Sequence, residues 1–91
     1  ASGNGNFTKT DAEIYLYPNP TSVSIFISNK KTKIIDKVKI LNLNGSLVKW
    51  VDLKQSAELS SIPVDDLKNG FYLVEIHTND KVYQQKLSIQ H

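Results

Sequence analysis

The densest apolar pattern in the chain runs from Gly70 to Ile89, GFYLVEIHTNDKVYQQKLSI. Phe71, Tyr72, Leu73, Val74 and Ile76 place five large apolar residues in six positions, most of them aromatic or β-branched, which favours a well-buried strand. Thr78-Asn79-Asp80-Lys81 then brings turn chemistry, because Asn and Asp bond their own main chain and tolerate left-handed angles. From Val82 to Ile89 the chain alternates. Tyr83, Leu87 and Ile89 fall on one face, and Val82, Gln84, Lys86 and Ser88 on the other. The pattern predicts a hairpin. A lone hairpin is marginal in water, so the upstream chain must supply more sheet.

Glu13–Tyr17 reads as a short strand with Ile14 and Leu16 on one face and Tyr15 and Tyr17 on the other. Pro18-Asn19-Pro20-Thr21 stops it, since two prolines fix φ and remove two donors. Asn19, preceding a proline, is pushed to extended angles. The resulting corner suits a passage between sheets. Ser22–Ser28 alternates with Val23, Ile25 and Ile27 inward, and a lysine-rich loop follows. Asp36–Leu43 and Ser46–Leu53 flank Asn44-Gly45, a signal for a type I′ hairpin with positive φ at both residues. Val38 and Ile40 point to the core, while Leu41 and Leu43 leave the opposite face apolar. On Ser46–Leu53 the inward set stays open between Leu47, Lys49, Val51 and Val48, Trp50, Asp52. Gln55–Ser61 is a weaker strand and Ile62-Pro63-Val64 is extended. Asp65–Gly70 turns, with Leu67 as a buried plug and Gly70 in a conformation other residues disfavour. No segment shows a helical period. Seven strands at roughly ten-residue spacing predict an all-β fold, a seven-stranded antiparallel immunoglobulin-like β-sandwich.

Ninety-one residues with 40% hydrophobic content fit one domain. The boundaries predicted are a flexible Gly/Asn-rich linker over residues 1–12 and the sandwich over residues 13–91. There is no cysteine, which excludes disulfide scaffolds, thiolate metal sites and thiol catalysis. No apolar run approaches the length of a membrane span and no leader is evident, so the chain reads as an excised domain without membrane insertion. The net charge is +2 and all eleven basic residues are lysines. Nucleic-acid sites favour arginine forks and stacking, so a nucleic-acid partner is not expected.

Candidate chemistry is sparse. His77 beside Glu75 reads as a strand residue, and the many serines lack a nucleophile-elbow pattern. Asp65-Asp66 lacks the alternating oxygen ligands of a calcium loop and reads as solvated turn carboxylates. Lys30, Lys31, Lys33, Lys37 and Lys39 crowd one region without arginine or interleaved aromatics, so a solvated face outweighs a polyanion site. Those lysines also discourage edge pairing of strands. Trp50, Tyr15 and Tyr17 would suit a sugar-stacking platform, against the commoner reading of packed aromatics. No catalytic, metal or cofactor site emerges.

Three motifs in order carry a family likeness: Tyr17-Pro18-Asn19-Pro20-Thr21; Val38–Val48 around Asn44-Gly45; and Leu67-Lys68-Asn69-Gly70-Phe71-Tyr72-Leu73-Val74 ahead of Lys86-Leu87-Ser88-Ile89-Gln90. Over Ile14–Gln90 the chain resembles the type A C-terminal sorting domains of the type IX (Por) secretion system. The resemblance implies a non-catalytic signal that directs a cargo across the outer membrane of a Gram-negative bacterium, to the cell surface or the medium. It implies recognition by an outer-membrane translocon and removal by a cell-surface sortase, with the cut in the linker. Pro18, Asn19, Pro20, Gly45, Gly70, Tyr72 and Lys86 match the family pattern, and Gln84 joins Lys86 on the accessible face expected of the final strand. The family's usual terminal run of lysine and aliphatic residues is reduced here to Lys86 before Leu87, with His91 closing the chain. The alternative reading is an immunoglobulin-like accessory module binding carbohydrate or protein on a secreted enzyme. Edge strands leave room for a dimer by strand addition or swapping.

Overall fold

The structure is a computed structural model, and it describes residues 7–10, 13–18, 20–30, 34–55, 58–79 and 81–91. Eight strands follow one another: β1 (Phe7–Lys9), β2 (Ile14–Tyr17), β3 (Ser24–Asn29), β4 (Ile35–Asn42), β5 (Leu47–Gln55), β6 (Leu59–Pro63), β7 (Gly70–Thr78) and β8 (Val82–Ile89). They form a five-stranded sheet in the order β1-β8-β7-β4-β5 and a three-stranded sheet in the order β2-β3-β6. There is no helix among the described residues. The seven strands from β2 onward pair antiparallel, and their partition between sheets is that of an immunoglobulin-like sandwich.

The two inner faces meet in a single apolar core. Ile14, Leu16, Ile25, Ile27 and Ile62 come from the small sheet. Ile35, Val38, Ile40, Tyr72, Val74, Ile76, Tyr83, Leu87 and Ile89 come from the large one. Alternation along each strand puts these residues on one side, and Val51, Leu53 and Leu67 pack against them half-buried.

Four local expectations need correcting. Val23 was expected inward but is 62% exposed, because β3 begins only at Ser24. Its carbonyl instead accepts the amide of Val64, which locks the corner to the end of β6. The weak strand expected over Gln55–Ser61 is β6, which begins four residues later and ends two residues later, and Gln55 instead closes β5. The β4–β5 turn is not of type I′. Gly45 has φ +87°, but Asn44 does not have positive φ. The Gly45 amide donates to the Asn42 carbonyl, and the Asn42 amide to the Ser46 carbonyl. This is a three-residue loop with a left-handed glycine at its bulge. The side chain of Asn42 stabilises it by accepting the amides of Asn44 and Ser46 at 2.9 and 3.0 Å. The fourth correction is the additional strand β1. It falls within the stretch read as linker and pairs parallel with β8 over Phe7↔Val82, Thr8↔Tyr83 and Lys9↔Gln84.

The free edge at β5 is blunted. Register shifts against β4 leave Val48 as an extra residue, and a second shift accompanies Lys54, whose φ is +49°. Lys49 lies opposite the buried Ile40, so it points toward the core side, and its Nζ meets Asp66 Oδ1 at 3.0 Å. Bulges and inward charges on an edge discourage a further strand from adding. The Lys49 hydrogen bond holds the Asp66 carboxyl below its ordinary value of 3.8, against a smaller desolvation that raises it. A depressed carboxylate favours folding above its unfolded value, and that contribution fades as pH falls through the lowered one.

Candidate functional site

The final strand is held on both sides. Toward the sheet, β8 pairs with β7 from Val82↔His77 to Ile89↔Gly70. On its other side Thr21 forms a parallel bridge to Ile89. The Thr21 amide donates to the Ser88 carbonyl at 2.9 Å, and the Gln90 amide donates to the Thr21 carbonyl at 2.8 Å. Thr21 is itself buried, and its Oγ1 donates to the Ser24 carbonyl at 2.7 Å. The proline corner is therefore part of the final strand's support, although the two lie far apart in sequence. Pro18 follows a cis peptide bond with Tyr17. Asn19 lies outside the described residues.

The remaining motif residues gather at the same pole. Asn42, where β4 ends, pairs with Tyr72, and Tyr72 pairs with Leu87. Gly45 in the adjoining hairpin and Gly70 at the start of β7 thus sit near the end of β8. Gly70 has φ +154°, which side-chain-bearing residues rarely adopt. It sets up a tyrosine corner: the Tyr72 hydroxyl donates to the Lys68 carbonyl, four residues upstream, at 2.7 Å. The chain end folds onto this corner. The His91 amide donates to Asn69 Oδ1 at 2.9 Å, and its Nε2 lies 2.6 Å from the Leu67 carbonyl oxygen. Tyr72→Phe is expected to cost about 0.5–1.5 kcal/mol, the net worth of one hydrogen bond. Urea unfolding measures it, and the ring's packing is retained.

The outward face of β8 is graded rather than uniformly open. Lys86 is exposed, while Gln84 and Ser88 are half-buried. Across the sheet, Lys86 lies beside Leu73 and Gln84 beside Glu75. The inward face holds a residue that the alternation left unassigned. Gln85 sits between Tyr83 and Leu87, and its amide spans the two sheets. Oε1 accepts the Leu16 amide at 3.2 Å and the Thr10 hydroxyl at 2.8 Å, and Nε2 donates to the Leu16 carbonyl at 3.3 Å. A polar residue inside an apolar alternation was the available signal.

Other candidates stay apart. Trp50 lies on the outer face of the large sheet, 56% exposed, with Nε1 donating to Asp52 at 3.3 Å. Tyr15 and Tyr17 lie on the small sheet, so the three do not form the platform considered from the sequence. A different aromatic row exists, Tyr15–Tyr17–Phe26, with ring centres 5.8 and 5.7 Å apart. It ends beside a shallow groove of about 310 Å³ lined by Pro18, Pro20, Thr21, Ser22, Val23 and Ser24. His77 Nε2 meets Glu75 Oε1 at 3.1 Å. No group of metal-binding side chains occurs among the described residues. Lys31 and Lys33 lie outside the described residues.

The sulfur carrier protein SoxY of Chlorobium limicola f thiosulfatophilum superposes with a TM-score of 0.50 at 11% identity, over 93% of this chain and 84% of that one. At that identity the likeness is one of fold alone. No curated protein matches the sequence. The family model described as the secretion system C-terminal sorting domain matches residues 15–90. The chain belongs to that family, and it carries a sorting signal of the type IX secretion system, for secretion or cell-surface export in Gram-negative bacteria.

Proposed function

We propose that the pole formed by the proline corner, the two glycine turns and the end of β8 is the address read by the outer-membrane translocon. The observation that carries this reading is the Thr21 bridge, which fuses the Pro18–Thr21 corner to Ser88–Gln90. In a C-terminal sorting domain the cargo precedes the domain, and Phe7 pairs with Val82 at the opposite pole. The address thus faces away from the cargo. Pro18, Pro20, Gly45, Gly70 and Tyr72 shape the pole, Asn19 joins them by the family pattern, and Gln84 and Lys86 are the polar groups a partner meets along the strand. A cell-surface sortase then cuts within residues 1–12, and the domain itself performs no chemistry.

A reporter fused ahead of Phe7–His91, in a host with the machinery, tests the reading. Deleting Val82–Gln90 abolishes surface reporter; undiminished export would reject the proposal. Lys86→Glu separates address from fold, since it lowers export while the purified domain keeps its urea midpoint. Terminal sequencing of the mature cargo locates the cut. The alternative of a carbohydrate-binding accessory module draws on the Tyr15–Tyr17–Phe26 row, and affinity electrophoresis with Tyr17→Ala distinguishes it.

A further inference from the structure

The margins of the two sheets are unequal. The large sheet ends in the three-residue β1 and in β5, which is bulged and carries the inward Lys49. In the small sheet β2 turns the backbone of Leu16 outward, where the side-chain amide of Gln85 takes both its amide and its carbonyl. The other margin of that sheet is β6. The Asn29 amide donates to the Glu58 carbonyl and the Val64 amide to the Val23 carbonyl, both at 2.8 Å. Between those bonds β6 pairs with β3 from Leu59↔Ser28 to Pro63↔Ser24 without a register shift. Backbone groups of an antiparallel strand alternate between its two sides. Ser60 and Ile62 therefore bond to β3, while Leu59, Ser61 and Pro63 turn theirs away from the sheet. Among the described residues no backbone group meets them there. All three residues are exposed, Leu59 to 54%. Leu59–Pro63 carries no charge, the usual guard of an open edge. Its one guard is Pro63, which has no amide to offer.

We propose that β6 is a self-pairing edge, along which two copies of this chain add antiparallel and join their small sheets across a two-fold axis. The axis passes at Ser60. Leu59 of each copy then exchanges both backbone hydrogen bonds with Ser61 of the other. Every outward amide finds a carbonyl, and Pro63 falls outside the pair. An axis at Ser61 would instead set the Leu59 carbonyls against proline rings that have no proton to give. It would also place Glu58 opposite Val64, beside Asp65 of the other copy, and the Ser60 axis draws these carboxylates apart. The exposed Leu59 side chains meet diagonally across the axis on the outer face. A second copy suits this edge because the pattern of donors and acceptors is its own complement and the segment brings no like charges together. β2, which touches β8 through Gln85, lies at the opposite margin of the small sheet, so pairing leaves the end of β8 uncovered. The proposal is independent of the address reading.

Sedimentation velocity on the full chain tests it. The paired segment is short, so association is weak, and concentrations up to roughly 1 mM are needed to populate the dimer. Ser61→Pro removes an outward amide at an edge position that tolerates proline, and Leu59→Lys sets like charges across the axis. Each is expected to weaken dimerisation at least roughly tenfold, while the dilute monomer keeps its urea midpoint. Trp50→Ser, on the outer face of the large sheet, leaves dimerisation unchanged. A chain that stays monomeric throughout overturns the proposal. So does a dimer that survives both β6 substitutions or is lost with Trp50→Ser. If Ser61→Pro lowers the monomer's midpoint, Leu59→Lys decides alone, because that side chain is exposed. Cysteine reads the register, since the chain has none of its own. Leu59→Cys mixed with Ser61→Cys should form an intermolecular disulfide faster than Ser61→Cys alone, and the reverse order overturns the Ser60 axis.

Discussion

Leu87→Ala is expected to destabilise the domain by about 2–5 kcal/mol, the range for deleting a buried leucine side chain. Leu87 is 1% exposed and lies opposite Tyr72, between Gln85 and Ile89 on the inner face of β8. The site cannot collapse easily. Thr21 holds one edge of the strand and β7 holds the other, so the backbone is fixed where the cavity opens. For a small domain with roughly 5–15 kcal/mol in hand, this removes a large share of the total. Urea denaturation should show a lower midpoint with an unchanged slope. Lys86→Ala, one position earlier on the opposite face, should stay within about 0.5 kcal/mol. Comparable losses for the two would mean that the faces of β8 do not divide between core and surface. The contrast matters for the export assay, because a defect in Leu87→Ala reports unfolding and a defect in Lys86→Glu reports recognition.

That division was legible in the sequence because period-two alternation needs no knowledge of partners. Alternation puts Tyr72, Val74 and Ile76 on one face of the strand after Gly70, and Leu87 and Ile89 on one face of the next, and all five are buried. Ile14, Leu16, Ile25, Ile27, Val38 and Ile40 followed from the same rule. The pattern failed where a residue's role depends on something distant in sequence. Val23 continues the alternation of Ile25 and Ile27, but the corner takes it out of the strand to meet Val64. Asn44-Gly45 matches a two-residue hairpin, yet the side chain of Asn42 selects the longer loop. On Ser46–Leu53 no inward set could be chosen, and the reason is physical: two register shifts break the period along β5. β1 has almost no hydrophobic signature of its own, since its place is set by backbone pairing to β8. For the candidate site, the motif residues were visible one by one. Their assembly at one pole, through Thr21 and the tyrosine corner, was not, because both contacts are hydrogen bonds to backbone that leave no compositional trace.

Gln85→Ala is expected to cost about 2–4 kcal/mol, a large effect for a half-buried polar residue. The Leu16 amide and carbonyl both lose their partner, and a buried group left unpaired costs about 1–3 kcal/mol. Partial exposure lets water recover some of this, which keeps the sum below two full penalties. The amide matters as a pair of functions, because Oε1 accepts from Leu16 and Thr10 while Nε2 donates to the Leu16 carbonyl. Gln85 thereby acts as one rung of a ladder between sheets that share no backbone pairing at that point. Gln85→Glu separates the two functions. An ionised carboxylate still accepts from Leu16 and Thr10 but faces the Leu16 carbonyl without a proton to offer. A protonated one restores the donor. Gln85→Glu should therefore approach the unsubstituted chain's stability as pH falls below the carboxyl's folded value, since protons then bind the folded state more tightly than the unfolded one. Urea midpoints across the acidic range would show this as a narrowing gap to the unsubstituted chain. A constant gap, or a Gln85→Ala loss under about 0.5 kcal/mol, would leave the two sheets joined by the apolar core alone and the Thr10 contact to β8 without its anchor.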